Sequence, residues 1–79
     1  MAIAGLLIHT QESELGQIEA QVRKMDGMTS HGCHQDQYIV VVAEAPSDQL
    51  EDRVKKIEEL DGVLTIYATY VTLEDEVNP

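Results

Sequence analysis

Apolar residues recur in two patterns along the chain: runs without charge that suit strands, and stripes at spacings of three and four that suit helices. Ala2 to His9 is uncharged and rich in Leu and Ile, which at this length predicts a strand covered by neighbours on both sides. Leu15, Ile18, Val22 and Met25 then form one helical stripe, while Glu12, Glu14, Glu19, Arg23 and Lys24 fall largely elsewhere on the wheel. Thr10 is placed to cap that helix, Arg23 and Lys24 complement its C-terminal dipole, and Gly27 supplies the left-handed residue that follows a helix end. Gly16 is its weak point, costing about 1 kcal/mol relative to alanine. Between Met28 and Asp36, small and polar residues predict a short edge strand, with a turn near Gln35, Asp36 and Gln37. Tyr38 to Ala43, rich in β-branched residues, predicts a central strand. Pro46 and Ser47 suit the start of a second helix with Leu50, Val54, Ile57 and Leu60 as its stripe, ending at Gly62 and leading directly into a strand from Val63 to Thr72.

The pattern occurs twice. A shift of 35 positions places Leu15 on Leu50, Val22 on Ile57, Met25 on Leu60, Asp26-Gly27 on Asp61-Gly62 and Met28 on Val63. Two copies are too few for a solenoid, so a pseudo-symmetric pair of strand-helix-strand units is expected. The order βαββαβ predicts a ferredoxin-like α+β sandwich, a four-stranded antiparallel sheet with two helices on one face. In the last strand Leu64, Ile66, Ala68 and Tyr70 alternate with Thr65, Tyr67 and Thr69; the first set is assigned to the helices and the second to the open face. The same alternation assigns Ile3, Gly5, Leu7 and His9 from strand one, and Ile39 and Val41 from strand three, to that open surface. Residues 1–73 are read as one domain, and Glu74 to Pro79 as an acidic, disordered tail.

Charge narrows the range of partners. Fifteen acidic residues against five basic ones give a net charge of -10, which repels nucleic acid phosphates and anionic membrane surfaces and favours a basic partner. A chain of 79 residues builds one thin core without room for a deep enclosed active site. Its single cysteine, Cys33, rules out an internal disulfide and suits a reducing compartment, so the cytoplasm is expected. The apolar opening has no basic segment before it and stops at His9, too early for a membrane span.

Candidate chemistry is sparse. His31, Cys33 and His34 form the one cluster of soft metal donors, but on a strand His31 and Cys33 face one side and His34 the other, and no fourth ligand is near. No metal site and no cofactor are expected. Cys33 and His34 lack the surrounding signals of a nucleophile with its base, and the chain has no glycine-rich phosphate loop. The carboxylates at Asp48, Glu51, Asp52, Glu58 and Glu59 read as a solvated helix face, and no catalytic residue is assigned.

Three pieces together resemble the NapD family: Gly5-Leu6-Leu7-Ile8, Tyr38-Ile39-Val40-Val41-Val42, and Leu60-Asp61-Gly62-Val63-Leu64 running on to Tyr70 before an acidic tail. They span nearly the whole chain, which departs from the family pattern in a short connection from His31 to Gln37. The resemblance implies a ferredoxin-like fold and a cytoplasmic maturation chaperone that binds the twin-arginine signal peptide of the periplasmic nitrate reductase catalytic subunit, delaying export until cofactors are inserted. It implies no enzyme activity. Combined with the alternation, it makes Leu7, His9, Ile39, Val41, Thr65, Tyr67 and Thr69 the expected peptide-binding surface of a monomer or weak homodimer that neither binds nucleic acid nor inserts into membranes. The rival is an amino-acid-sensing dimer like the ligand-binding domains of leucine-responsive regulators, which share the element order and a Gly-Val after each helix.

Overall fold

The computed structural model describes residues 2–72. The chain runs through β1 (Ala2–Thr10), a 3-10 turn (Glu12–Glu14), α1 (Leu15–Arg23), β2 (Met28–His34), β3 (Tyr38–Ala45), α2 (Leu50–Glu58) and β4 (Val63–Thr72). Its sheet has the order β2-β3-β1-β4 with every neighbouring pair antiparallel, the ferredoxin-like arrangement expected from the element order. The expected tail from Glu74 to Pro79 lies outside the described residues.

The duplication is visible in the elements themselves. The 35-residue shift carries α1 onto α2, places β1 against β3 as the two central strands, and makes β2 and β4 the two edges. The predicted stripes become the core: Ile18 and Val22 from α1 and Leu50, Val54 and Ile57 from α2 are buried, with Leu15, Met25 and Leu60 packed at its margin. Beneath them the central pair is graded by size. Large residues gather at one end, Ile8 opposite Ile39 and Leu6 opposite Val41, and alanines at the other, Ala4 opposite Ala43 and Ala2 opposite Ala45.

Each half ends its helix in the same turn and fastens it to the other half. The N–H of Met28 donates to the carbonyl of Met25, and that of Val63 to Leu60, bracketing Gly27 (φ 80°) and Gly62 (φ 98°). The Gly27 carbonyl accepts from the N–H of Glu44 in β3 at 2.8 Å, and the Gly62 carbonyl accepts from that of Gln11, just beyond β1, at 2.9 Å. A Cβ on Gly27 would collide with the Glu44 carbonyl oxygen, and one on Gly62 would come within 2.5 Å of Glu14 Cβ. Positive φ and lack of space therefore both require glycine here.

Two expectations are corrected. Thr10 does not cap the first helix: it is the buried last residue of β1, its N–H donating to Gln37 O at 2.8 Å, and Gln11 stands at the head of the 3-10 turn without a side-chain cap. Leu64 does not join the core either. A register shift between His9 and Thr10 pairs Thr10 with Val63 and His9 with Thr65, so Leu64 is the extra residue of a bulge and is 53% exposed.

Valine at Gly27 or Gly62 should lower stability by about 1–3 kcal/mol, the cost of a strained left-handed residue, before any steric term. Gly16→Ala is the control, since Gly16 lies in α1 with open space where its Cβ would be and should gain about 0.5–1 kcal/mol. Urea denaturation of the three variants checks this, and a Gly62→Val midpoint equal to the parent's would contradict the shared turn.

Candidate functional site

The sheet face away from the helices is built of cross-strand rows, because residues directly opposite in an antiparallel pair share a face. Across β3, β1 and β4 the rows are Glu44, Ile3 and Val71; Val42, Gly5 and Thr69; Val40, Leu7 and Tyr67; and Tyr38, His9 and Thr65. β2 extends two of them, with Thr29 opposite Val42 and His34 opposite Tyr38. Tyr67 is 59% exposed, Val71 48% and Val40 40%, and they make this an apolar surface open to solvent. Around Gly5, the side chains of Leu7, Val40, Val42, Tyr67 and Thr69 border a shallow depression of about 340 Å³. At one end the rings of His9 and Tyr38 stack with centroids 4.7 Å apart and planes 19° from parallel.

The register places Leu7, His9, Thr65, Tyr67 and Thr69 on this face as the alternation expects, and it removes Ile39 and Val41. Both are fully buried under the helices, opposite Ile8 and Leu6. The run from Tyr38 to Ala43 is apolar on both sides, so its alternation alone gives no phase. Glu44 holds the missing signal, since an unpaired carboxylate does not face the helix layer and so assigns Val42, Val40 and Tyr38 to the outside with it. Tyr38, Val40 and Val42 therefore take the places on the surface that the peptide-site expectation gave to Ile39 and Val41.

Charge divides the molecule. All five cations, Arg23, Lys24, Arg53, Lys55 and Lys56, lie in the helices or at their ends, and the described strands contain no Lys or Arg and one carboxylate, Glu44. Beyond the His9 and Tyr38 end lies a polar cleft of about 520 Å³ lined by Gln11, Glu12, Ser13, Leu15, Gly16 and Asp36. Asp36 belongs to the tight turn between β2 and β3, where Gln35 (φ 56°) and Asp36 (φ 55°) are both left-handed and the N–H of Gln37 donates to His34 O at 3.2 Å.

The cluster at His31, Cys33 and His34 does not converge. An extra residue in β2 between Ser30 and Cys33 breaks the alternation, so Ser30 (opposite Val41) and Cys33 (opposite Ile39) share the helix side, while His34 pairs with Tyr38 on the open side. Cys33 meets Glu19 of α1 instead of an imidazole. The Glu19 carboxylate accepts from Ser30 Oγ at 2.8 Å and from Arg23 Nη2 at 3.2 Å. The Ser30 hydrogen bond, with the Arg23 charge behind it, holds the Glu19 carboxyl below its ordinary range despite partial desolvation. Desolvation, then the Glu19 charge and hydrogen bond, push the Cys33 thiol up. A raised thiol is a poor nucleophile at neutral pH. Among the described residues no group of three or more His, Cys, Asp or Glu side chains is placed to hold a metal ion, and no helix is long and apolar enough to cross a membrane.

A family model described as NapD protein matches residues 1–75. The solution structure of the Tat proofreading chaperone protein NapD of E. coli superposes with a TM-score of 0.80 at 20% identity, covering 94% of this chain and 80% of that one. A hypothetical protein of Pyrococcus horikoshii gives the same TM-score of 0.80 at 15% identity, over 100% of this chain and 99% of that one. An acylphosphatase from Bacillus subtilis matches with a TM-score of 0.64 at 17% identity, over 95% of this chain and 91% of that one. At these identities the structural likenesses establish the fold. A search of curated proteins gave no significant match.

The Glu19 contacts generate a pH test. Because the folded carboxyl titrates below its unfolded value, its contribution is present above the unfolded pKa and is lost as pH falls through the folded one. Ser30→Ala should cost about 1 kcal/mol at pH 7, and the gap from the parent should narrow in acid. Iodoacetamide should label Cys33 more slowly than a free cysteine at pH 8 and faster in Glu19→Gln; equal rates in parent and variant would remove Glu19 as a restraint on the thiol.

Proposed function

We propose that this chain, which belongs to the NapD family, is a chaperone that binds a twin-arginine signal peptide on its open sheet face. Family membership carries the reading, and the geometry supplies a means. A signal peptide of this class joins a basic segment to an apolar one, and the open face offers apolar contacts with no Lys or Arg among its described residues. The apolar segment lies over Leu7, Val40, Val42 and Tyr67, and Glu12 and Asp36, in the cleft beyond His9 and Tyr38, attract the arginines. Thr65 and Thr69 border the surface and offer hydroxyls to peptide polar groups. The client on this reading is the catalytic subunit of a periplasmic nitrate reductase, held in the cytoplasm until its cofactors are in place. The protein itself performs no chemical step and binds as a monomer or weak homodimer.

Titration with a synthetic signal peptide, its twin-lysine variant and an unrelated basic peptide tests the proposal. The twin-arginine peptide should bind most tightly, because a guanidinium engages a carboxylate through two parallel donors and an ammonium does not. Tyr67→Ala should weaken binding about tenfold, the scale of an interface aromatic, whereas Glu58→Gln on α2 should change it less than twofold. Added salt should slow association and leave dissociation nearly unchanged. Indistinguishable affinities for the three peptides would reduce the interaction to charge attraction and sink the chaperone reading; a thermal shift with free amino acids instead would favour a sensor.

A further inference from the structure

Gly5 stands at the centre of the open face, in the middle of a central strand, where its fitness for the fold is poor. Glycine in a strand interior contributes no packing and loses more backbone entropy on folding than other residues. Neither of the usual reasons for it applies here. The glycines that take positive φ are Gly27, Gly32 and Gly62, so Gly5 has no left-handed backbone to accommodate. A Cβ built on it meets nothing within 4 Å, so no neighbouring group needs the space. The pairing is also regular, with Val42 on one side and Thr69 on the other, and no bulge interrupts it. The protein alone gives no reason for the missing side chain, and the depression bordered by Leu7, Val40, Val42, Tyr67 and Thr69 is its result.

We infer that Gly5 is a seat: it leaves room for one apolar side chain of the bound peptide, and this contact sets which residue of the peptide's uncharged segment registers on the sheet. This inference rests on the peptide-binding reading given above. The occupant follows from the walls, since Leu7, Val40 and Val42 offer only carbon, Tyr67 contributes a ring, and no charged side chain borders the depression. A lysine or arginine head placed there would lose hydration and meet no carboxylate among the lining residues. A Leu- or Met-sized side chain would instead displace water from apolar surface on several sides. The charges are arranged to match: the described strands carry no Lys or Arg, and the carboxylates of Glu12 and Asp36 line the cleft past the His9 and Tyr38 end, so a cationic segment is drawn to that end and the uncharged segment beside it comes to lie over Gly5.

Filling the seat from the protein side provides the test. Gly5→Ala and Gly5→Val should keep or raise the urea midpoint, because open space receives the new side chain and both residues suit a strand better than glycine. Affinity for the synthetic signal peptide should fall several-fold in Gly5→Ala and at least tenfold in Gly5→Val. An alanine scan of the peptide's apolar residues then separates direct seating from a distant effect. One peptide position should cost more than tenfold in the parent and less than twofold in Gly5→Val, the non-additivity expected of groups in contact. If the parent binds the peptide and both Gly5 variants bind it equally well, the seat is disproved and the chaperone reading stands. If every peptide alanine costs the same in parent and variant, the seat is likewise disproved. If the parent fails to bind any signal peptide, the chaperone reading falls and the seat with it. Should Gly5→Val unfold, the Gly5→Ala arm of the same scan decides.

Discussion

The fold depends on two reciprocal backbone hydrogen bonds. Gly27 closes α1 and hands its carbonyl to β3, while Gly62 closes α2 and hands its carbonyl to the chain just past β1. Each half of the duplication therefore fixes its helix end against the other half. The consequence runs outward through the sheet: the turn at Gly27 delivers β2 to the free side of β3, and the turn at Gly62 delivers β4 to the free side of β1, which produces the order β2-β3-β1-β4. With the helices tied down on one face, none of the described elements covers the other.

Much of this was legible because helices and strands differ in period, and because a duplication confirms each element with a second example. Leu15, Ile18 and Val22 in one half and Leu50, Val54 and Ile57 in the other identify the buried stripes without reference to three dimensions. Asp26-Gly27 and Asp61-Gly62 mark equivalent turns on the same grounds. The open face was legible on β1 and β4, where His9 and the threonines Thr65 and Thr69 give the alternation a polar side.

The rest failed where composition lost its contrast. β3 is apolar on both faces through Ala43, so that run does not distinguish Ile39 and Val41 from Val40 and Val42, and the phase rests on Glu44 alone. The two bulges were not legible because neither depends on side-chain polarity: one inserts a residue between Ser30 and Cys33, and the other sets Leu64 aside near the start of β4. Thr10 was ambiguous for a different reason, as threonine suits both a strand and a helix cap, and the need to end β1 beside Gln37 decided between them.

The separation of charge has a consequence for copies of the protein meeting one another. An apolar sheet face and an edge strand as long as β4 are both surfaces on which identical chains stack or pair, and β4 lacks the lysines that commonly blunt such an edge. A net charge of -10 on 79 residues opposes the close approach of two copies, at a range set by the ionic strength. The same acidity is thus a repulsion that works against the apolar attraction of that face. Salt shortens the range of that repulsion and leaves the face and the edge unchanged, so ionic strength sets the balance between the two.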